Sequence, residues 1–192
     1  MKSEKLYHII LLTFFGMIGS ILTGFIFFNK SIFIPSGTTF QFVMSGLYGA
    51  LFFSLLEYKS VRDQILVMAI ILILNLVIFS GKLLSIAYLI RDIFFLGSLF
   101  LSIKLYYQFI KRNPKLTFYL RSFVLVLFYG LLNTMFGIIV FIISAKAGFP
   151  PLAFIYTIAR YGILIGLGIG LGIDFYLHNK KLIFNLLKIK TA

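Results

Sequence analysis

A chain of 192 residues that is 61% hydrophobic and only 12% charged, with a mean hydropathy of +1.07, lies far from the composition of a soluble domain. It has no cysteine, which excludes disulfides, thiolate metal sites and cysteine nucleophiles. The formal charge of +13 would point to nucleic acid in a soluble protein. Here the lysines and arginines cluster at the ends of apolar runs, so the expected partner is the lipid bilayer with its anionic inner leaflet, and no nucleic acid.

A membrane span needs roughly 20 apolar residues at 1.5 Å rise each. Six segments qualify, at about 7–28, 39–57, 64–80, 83–104, 120–144 and 152–177. They predict an all-α fold, a polytopic membrane protein built as a six-transmembrane-helix bundle, with 1–192 forming one integral membrane domain. The first run ends in Phe-Phe-Asn-Lys-Ser without a small-x-small cleavage site, and it is longer than a signal-peptide core, so it reads as a retained helix. The border between the third and fourth spans falls at Ser80-Gly81-Lys82. An alternative carries the third helix on to Ile90 and turns at Arg91-Asp92.

Counting basic residues on alternate sides gives 13 on one side, from Lys2 to Lys190, against Lys30, Lys82 and Lys146 on the other. This bias predicts that both termini are cytoplasmic and that the protein is a multi-pass component of the cell membrane. The outer segment 29–38 carries Ile32-Phe33-Ile34 ahead of Pro35. It is either a loop dipping into the interface or a lid over an outward-facing cavity. At the opposite side Tyr106, Tyr107, Phe118 and Tyr119 flank the Lys-Arg-Asn-Pro-Lys turn as interfacial anchors, with Pro114 stopping helix four. Beyond the sixth span, 179–190 has the pattern of a short basic helix lying on the inner leaflet.

Ionisable groups inside spans mark functional sites by default. Arg91 and Arg160 each lie eight residues in from the outer end of their helices, ~12 Å deep in a core of about 30 Å. Asp92 is beside the first arginine. Asn75, Asn133 and Tyr156 fall in or near the same band, and together these six are the candidate ligand-binding residues. Two guanidiniums face one carboxylate, which leaves one positive charge for water, backbone carbonyls or an anion; carboxylate and phosphate suit its fork. The bland alternative is that the arginines snorkel or brace helix packing.

Small residues recur every four positions at Gly16, Ser20 and Gly24, at Gly46, Ala50 and Ser54, and at Gly162, Gly166 and Gly170. Each stripe permits close helix contact, inside the bundle or with a docking partner. His8 and His178 fall at the cytoplasmic interface, where solvated side chains are expected. No HExxH, GxSxG or aspartate-rich phosphotransferase pattern occurs, and no metal or other cofactor is implied.

In span count, basic character and the small-residue stripe of helix one, the chain resembles the substrate-binding S-components of energy-coupling-factor (ECF) transporters. The resemblance implies that Gly16, Ser20 and Gly24 form a partner-docking face toward other transporter subunits, and that 29–38 covers a ligand. The MreD type of rod-shape factor is similar in outline and would be a scaffold. The expected function is therefore non-enzymatic binding of a small anionic or amphipathic molecule from the outer side, as a transporter specificity subunit. The alternative is a membrane scaffold with structural arginines.

Overall fold

The computed structural model describes residues 2–28, 37–58, 60–79, 86–145 and 150–187. These form six helices and, among the described residues, no strand: α1 (Lys2–Phe28), α2 (Gly37–Tyr58), α3 (Val61–Phe79), α4 (Ile86–Arg112), α5 (Phe118–Ala145) and α6 (Leu152–Leu186). All four prolines of the sequence lie between helices, where a missing N–H and a fixed φ do no harm. Four helices contain stretches long and apolar enough to cross a membrane: Glu4–Phe27, Ile93–Arg112, Leu120–Ile143 and Leu152–Leu186. The apolar part of α2, Gln41–Glu57, is shorter. Large apolar side chains also line the outside; on α5 Leu120, Phe123, Leu127, Leu131 and Met135 are all exposed. That surface is compatible with a bundle embedded in lipid.

α6 is the axis of the bundle. It runs antiparallel to α1 on one side and to α5 on the other, and glycines on both sides make the close approach possible. Gly168 and Gly172 face α1, where a methyl group added at either would strike the backbone of Ser20, Gly19, Phe15 or Gly16. Gly162, Gly166 and Gly170 face α5; a methyl on Gly170 would sit 3.0 Å from Ser122 Cα, and one on Gly162 3.0 Å from Asn133 Cβ. Residues two apart on a helix are about 200° apart, so interleaved glycines serve opposite faces.

α2 packs antiparallel to α1 and roughly parallel to α4, with Phe52 against Phe100 and Phe53 against Tyr106 and Tyr107. α4 returns along α5, with Phe94 against Phe136. The core of Phe42, Phe53, Leu99, Ile103, Ile165 and Ile169 lies where these helices meet. α3 stands at the periphery, and Ile65, Leu66, Ile70, Ile73 and Leu74 are exposed along it.

Two sequence expectations change here. α4 begins at Ile86 and passes unbroken through Arg91 and Asp92, so there is no turn at that pair. The expected interfacial helix at 179–190 is, as far as Leu186, the continuation of α6, a single helix of 35 residues. No glycine or proline interrupts 173–187, and Phe184 is 1% exposed, which holds the extension against the bundle. The Lys180 ammonium lies 5.3 Å from the Phe184 ring centroid and adds a cation–π contact one turn away.

Candidate functional site

The start of α1, the end of α2, the end of α4, the start of α5 and the last third of α6 converge at one end of the bundle. Hydrogen bonds between side chains of different helices are gathered there. Asp174, 2% exposed, is surrounded by apolar residues of α6 but finds two donors on other helices. The Tyr106 hydroxyl donates to Oδ1 at 3.0 Å and the Ser122 hydroxyl to Oδ2 at 2.7 Å. A buried carboxyl needs such partners, since an unsatisfied one costs several kcal/mol. Both oxygens accept, which is the pattern an ionised carboxylate requires.

Beside Asp174 lies a cavity of about 340 Å³ lined by Leu116, Arg121, Asp174, Leu177 and His178. Arg121 reaches back with Nη2 to donate to the Pro114 carbonyl at 2.6 Å, which pins its stem over the α4–α5 turn. Its Nε is buried and has no hydrogen-bond partner among the described residues. No ion pair joins it to Asp174; the histidine His8 pairs with Glu57 instead. The cavity therefore holds a guanidinium and a carboxyl group that face a common space without touching.

A second polar chain lies nearby. His8, 2% exposed, is bonded through Nδ1 to the Tyr176 hydroxyl at 2.8 Å and through Nε2 to Glu57 Oε2 at 2.9 Å. It ties α1, α6 and α2 together at this end. The solvated histidine expected from the sequence is corrected to a buried one with both ring nitrogens engaged. His178 lines the cavity and keeps an exposed side chain. Tyr106, expected at the interface, is fully buried because its phenol is committed to Asp174.

The residues expected to bind a ligand at the other end are not drawn together by what is described. Tyr156 is 68% exposed. Arg160 is also exposed and its Nη2 donates to the Phe27 carbonyl at 3.2 Å, linking the ends of α6 and α1. Asn133 is buried, but its Nδ2 donates to the Ile158 carbonyl at 3.0 Å, so it braces α5 against α6. The side chains of Asn75, Arg91 and Asp92 lie outside the described residues, as does the 29–36 part of the expected lid.

The helix-one stripe faces inward. Gly16, Ser20 and Gly24 are buried; Gly16 meets Ala50, and Ser20 meets Gly46 and donates to the Phe42 carbonyl at 2.8 Å. The stripes of α1 and α2 fill each other's grooves, and the docking face that the S-component resemblance implies for α1 is occupied by the chain's own second helix.

Asp174 and Arg121 carry the cavity, and the sequence reading singled out neither. One signal was available: an acidic residue one turn inside the end of an apolar run, at the same end as an arginine one turn into the preceding span.

The fold and this site define an all-helical protein with several membrane-length apolar helices and a polar cavity at the end rich in lysine and arginine. No protein-family model, curated protein or solved structure matches the chain.

Proposed function

We propose that this chain is a six-helix integral membrane protein with both termini on the cytoplasmic side, and that it binds a small anionic or amphipathic molecule without changing it chemically. The proposed site is the cavity between α5 and α6. The observation that carries this reading is the cavity that Arg121 and Asp174 line together, with the buried Arg121 Nε lacking a hydrogen-bond partner among the described residues. A buried donor left unsatisfied costs about 1–3 kcal/mol, and a ligand oxygen would recover it. Leu116 and Leu177 give the same cavity an apolar wall, which suits an amphipathic guest.

The count of 13 basic residues against 3 supports placing this end in the cytoplasm, so the ligand would enter from the inner leaflet or the cytosol rather than from outside. The role of transporter specificity subunit requires such a binding site and, in addition, a docking surface other than the α1 stripe.

A second reading is a membrane scaffold. It is favoured by Arg160 and Asn133, each of which spends its donor on a backbone carbonyl of a neighbouring helix or segment.

A thermal melt in detergent separates the two. Anionic amphiphiles, added singly, are expected to raise the melting temperature of the wild type; a ligand at ~100 times its Kd adds about 2.7 kcal/mol of stability. Arg121→Ala should abolish that gain. If no amphiphile stabilises the wild type, the binding reading fails and the scaffold stands.

A further inference from the structure

The cavity holds a positive and a negative wall at once, and the two are not in contact. A simple anion would gain from Arg121 but would be repelled by an ionised Asp174, which is buried and lines the same cavity. A simple cation would meet the reverse. The Asp174 carboxyl accepts from the Tyr106 and Ser122 hydroxyls and from the Ser122 backbone N–H, and with about four lone-pair sites it retains room for a further donor. Arg121 retains Nε–H. The guest that satisfies both carries an acidic oxygen and an N–H cation a short distance apart.

Resting on the binding reading above, we infer that the ligand is a zwitterion with a primary ammonium and a phosphodiester, the chemistry of an ethanolamine phosphate headgroup. The phosphate oxygen accepts from the Arg121 guanidinium, and the ammonium donates to Asp174. A charge-assisted bond at each end is stronger than a neutral one and fixes the headgroup's direction. The position fits a lipid. The cavity lies beside the turn between α4 and α5, which contributes Leu116, and Leu116 and Leu177 are its apolar lining. The exposed Lys111, Arg112, Lys115 and Lys181 around it raise the local concentration of any phosphate. A choline headgroup fills the same space, but its trimethylammonium has no N–H to give Asp174. A glycerol headgroup has the phosphate and no cation. The carboxyl therefore acts as the selectivity element and the guanidinium as the anchor.

The test is native mass spectrometry of the whole protein released from mixed micelles containing equimolar phosphatidylethanolamine, phosphatidylcholine and phosphatidylglycerol. Wild type should retain phosphatidylethanolamine about tenfold over each of the others. Asp174→Asn, which keeps one of the two acceptor oxygens and loses the charge, should bring the three lipids to parity. Arg121→Gln should lower retention of all three together. Soluble glycerophosphoethanolamine is then added as competitor. Displacement at a concentration close to that of the lipid identifies the free headgroup as sufficient; displacement by the lipid alone identifies the membrane as the source. Both support the zwitterion. Phosphatidylglycerol retained as well as phosphatidylethanolamine by the wild type would overturn this inference and leave the binding reading standing. Equal, weak retention of every lipid by the wild type and by Arg121→Gln would overturn both. The wild-type preference is read without any variant, so a misfolded substitution does not rescue the idea.

Discussion

If Tyr106 and Ser122 hold Asp174 in the bundle, removing them should be felt as a pair. Tyr106→Phe deletes one oxygen from a fully buried ring and changes little of its packing against Phe53. Ser122→Ala deletes the 2.7 Å bond on the other carboxyl oxygen. Hydrogen bonds to a charged group contribute about 1.5–3 kcal/mol each. Bonds between membrane helices average nearer ~0.6 kcal/mol, because the separated helices find other partners. Asp174 is buried and faces few alternatives, so each single variant is expected to cost about 1–3 kcal/mol. For a chain of this length that is a fall of about 2–12 °C in melting temperature. The double variant should depart from additivity by about 0.5 kcal/mol or more, since both bonds serve one carboxyl group. The assay is a thermal or denaturant melt of all four proteins in one detergent, with Asp174→Asn as a fifth. If Tyr106→Phe and Ser122→Ala are each as stable as the wild type, the carboxyl group does not depend on them and the reasoning is refuted.

Other substitutions give equally direct outcomes. A methyl added at Gly97 meets nothing within 4 Å, so Gly97→Ala should raise stability by roughly 0.5–1 kcal/mol through helix propensity, whereas Gly168→Ala, which strikes Ser20 and Gly19 backbone, should lower it; equal effects in the same melt would contradict the packing described. Ser20→Leu should destabilise the isolated protein in detergent, because Ser20 is fully buried against α2. A folded Ser20→Leu protein that fails only in partner binding would return the stripe to a docking role. His8→Phe and Tyr176→Phe should show a coupling of about 0.5–3 kcal/mol in a double-mutant cycle, since one 2.8 Å bond joins them; additive losses would argue that the bond is not made. For topology, Lys30→Cys, Lys82→Cys and Lys146→Cys should each react with an impermeant thiol reagent on intact cells, and Lys111→Cys should not. The chain's lack of cysteine makes that labelling clean, and the reverse pattern would invert the orientation.

The helices were legible because apolar length is a one-dimensional property, and prolines mark three of the five gaps between them. The stripes were legible as stripes, since a four-residue spacing gives a face. What the face meets is a three-dimensional fact: Gly16 and Ala50 are both small, and either could have met another helix. The cavity was harder to read. Asp174 depends on Tyr106 and Ser122, which are 68 and 52 residues away, and no local pattern announces partners at that distance. His8 was read from its position near a basic terminus, where water is usual; its burial comes from Glu57 and Tyr176 on two other helices. Arg160 drew attention by its depth along the helix, yet depth along an axis says nothing of which side the guanidinium faces. Tyr156, four residues earlier, points outward for the same reason.

The place of α6 at the centre of the bundle bears on how the protein is made. It leaves the ribosome after the other five helices, and the grooves it fills on α1 and α5 stay open until then. In that interval Asn133 and Ser122 face the membrane without the Ile158 carbonyl and the Asp174 carboxyl that later engage them. Polar groups without partners in an apolar setting are costly and face inward once a partner is present. Arrival of α6 supplies both partners at once, so the polar contacts of α5 form only when the last helix docks.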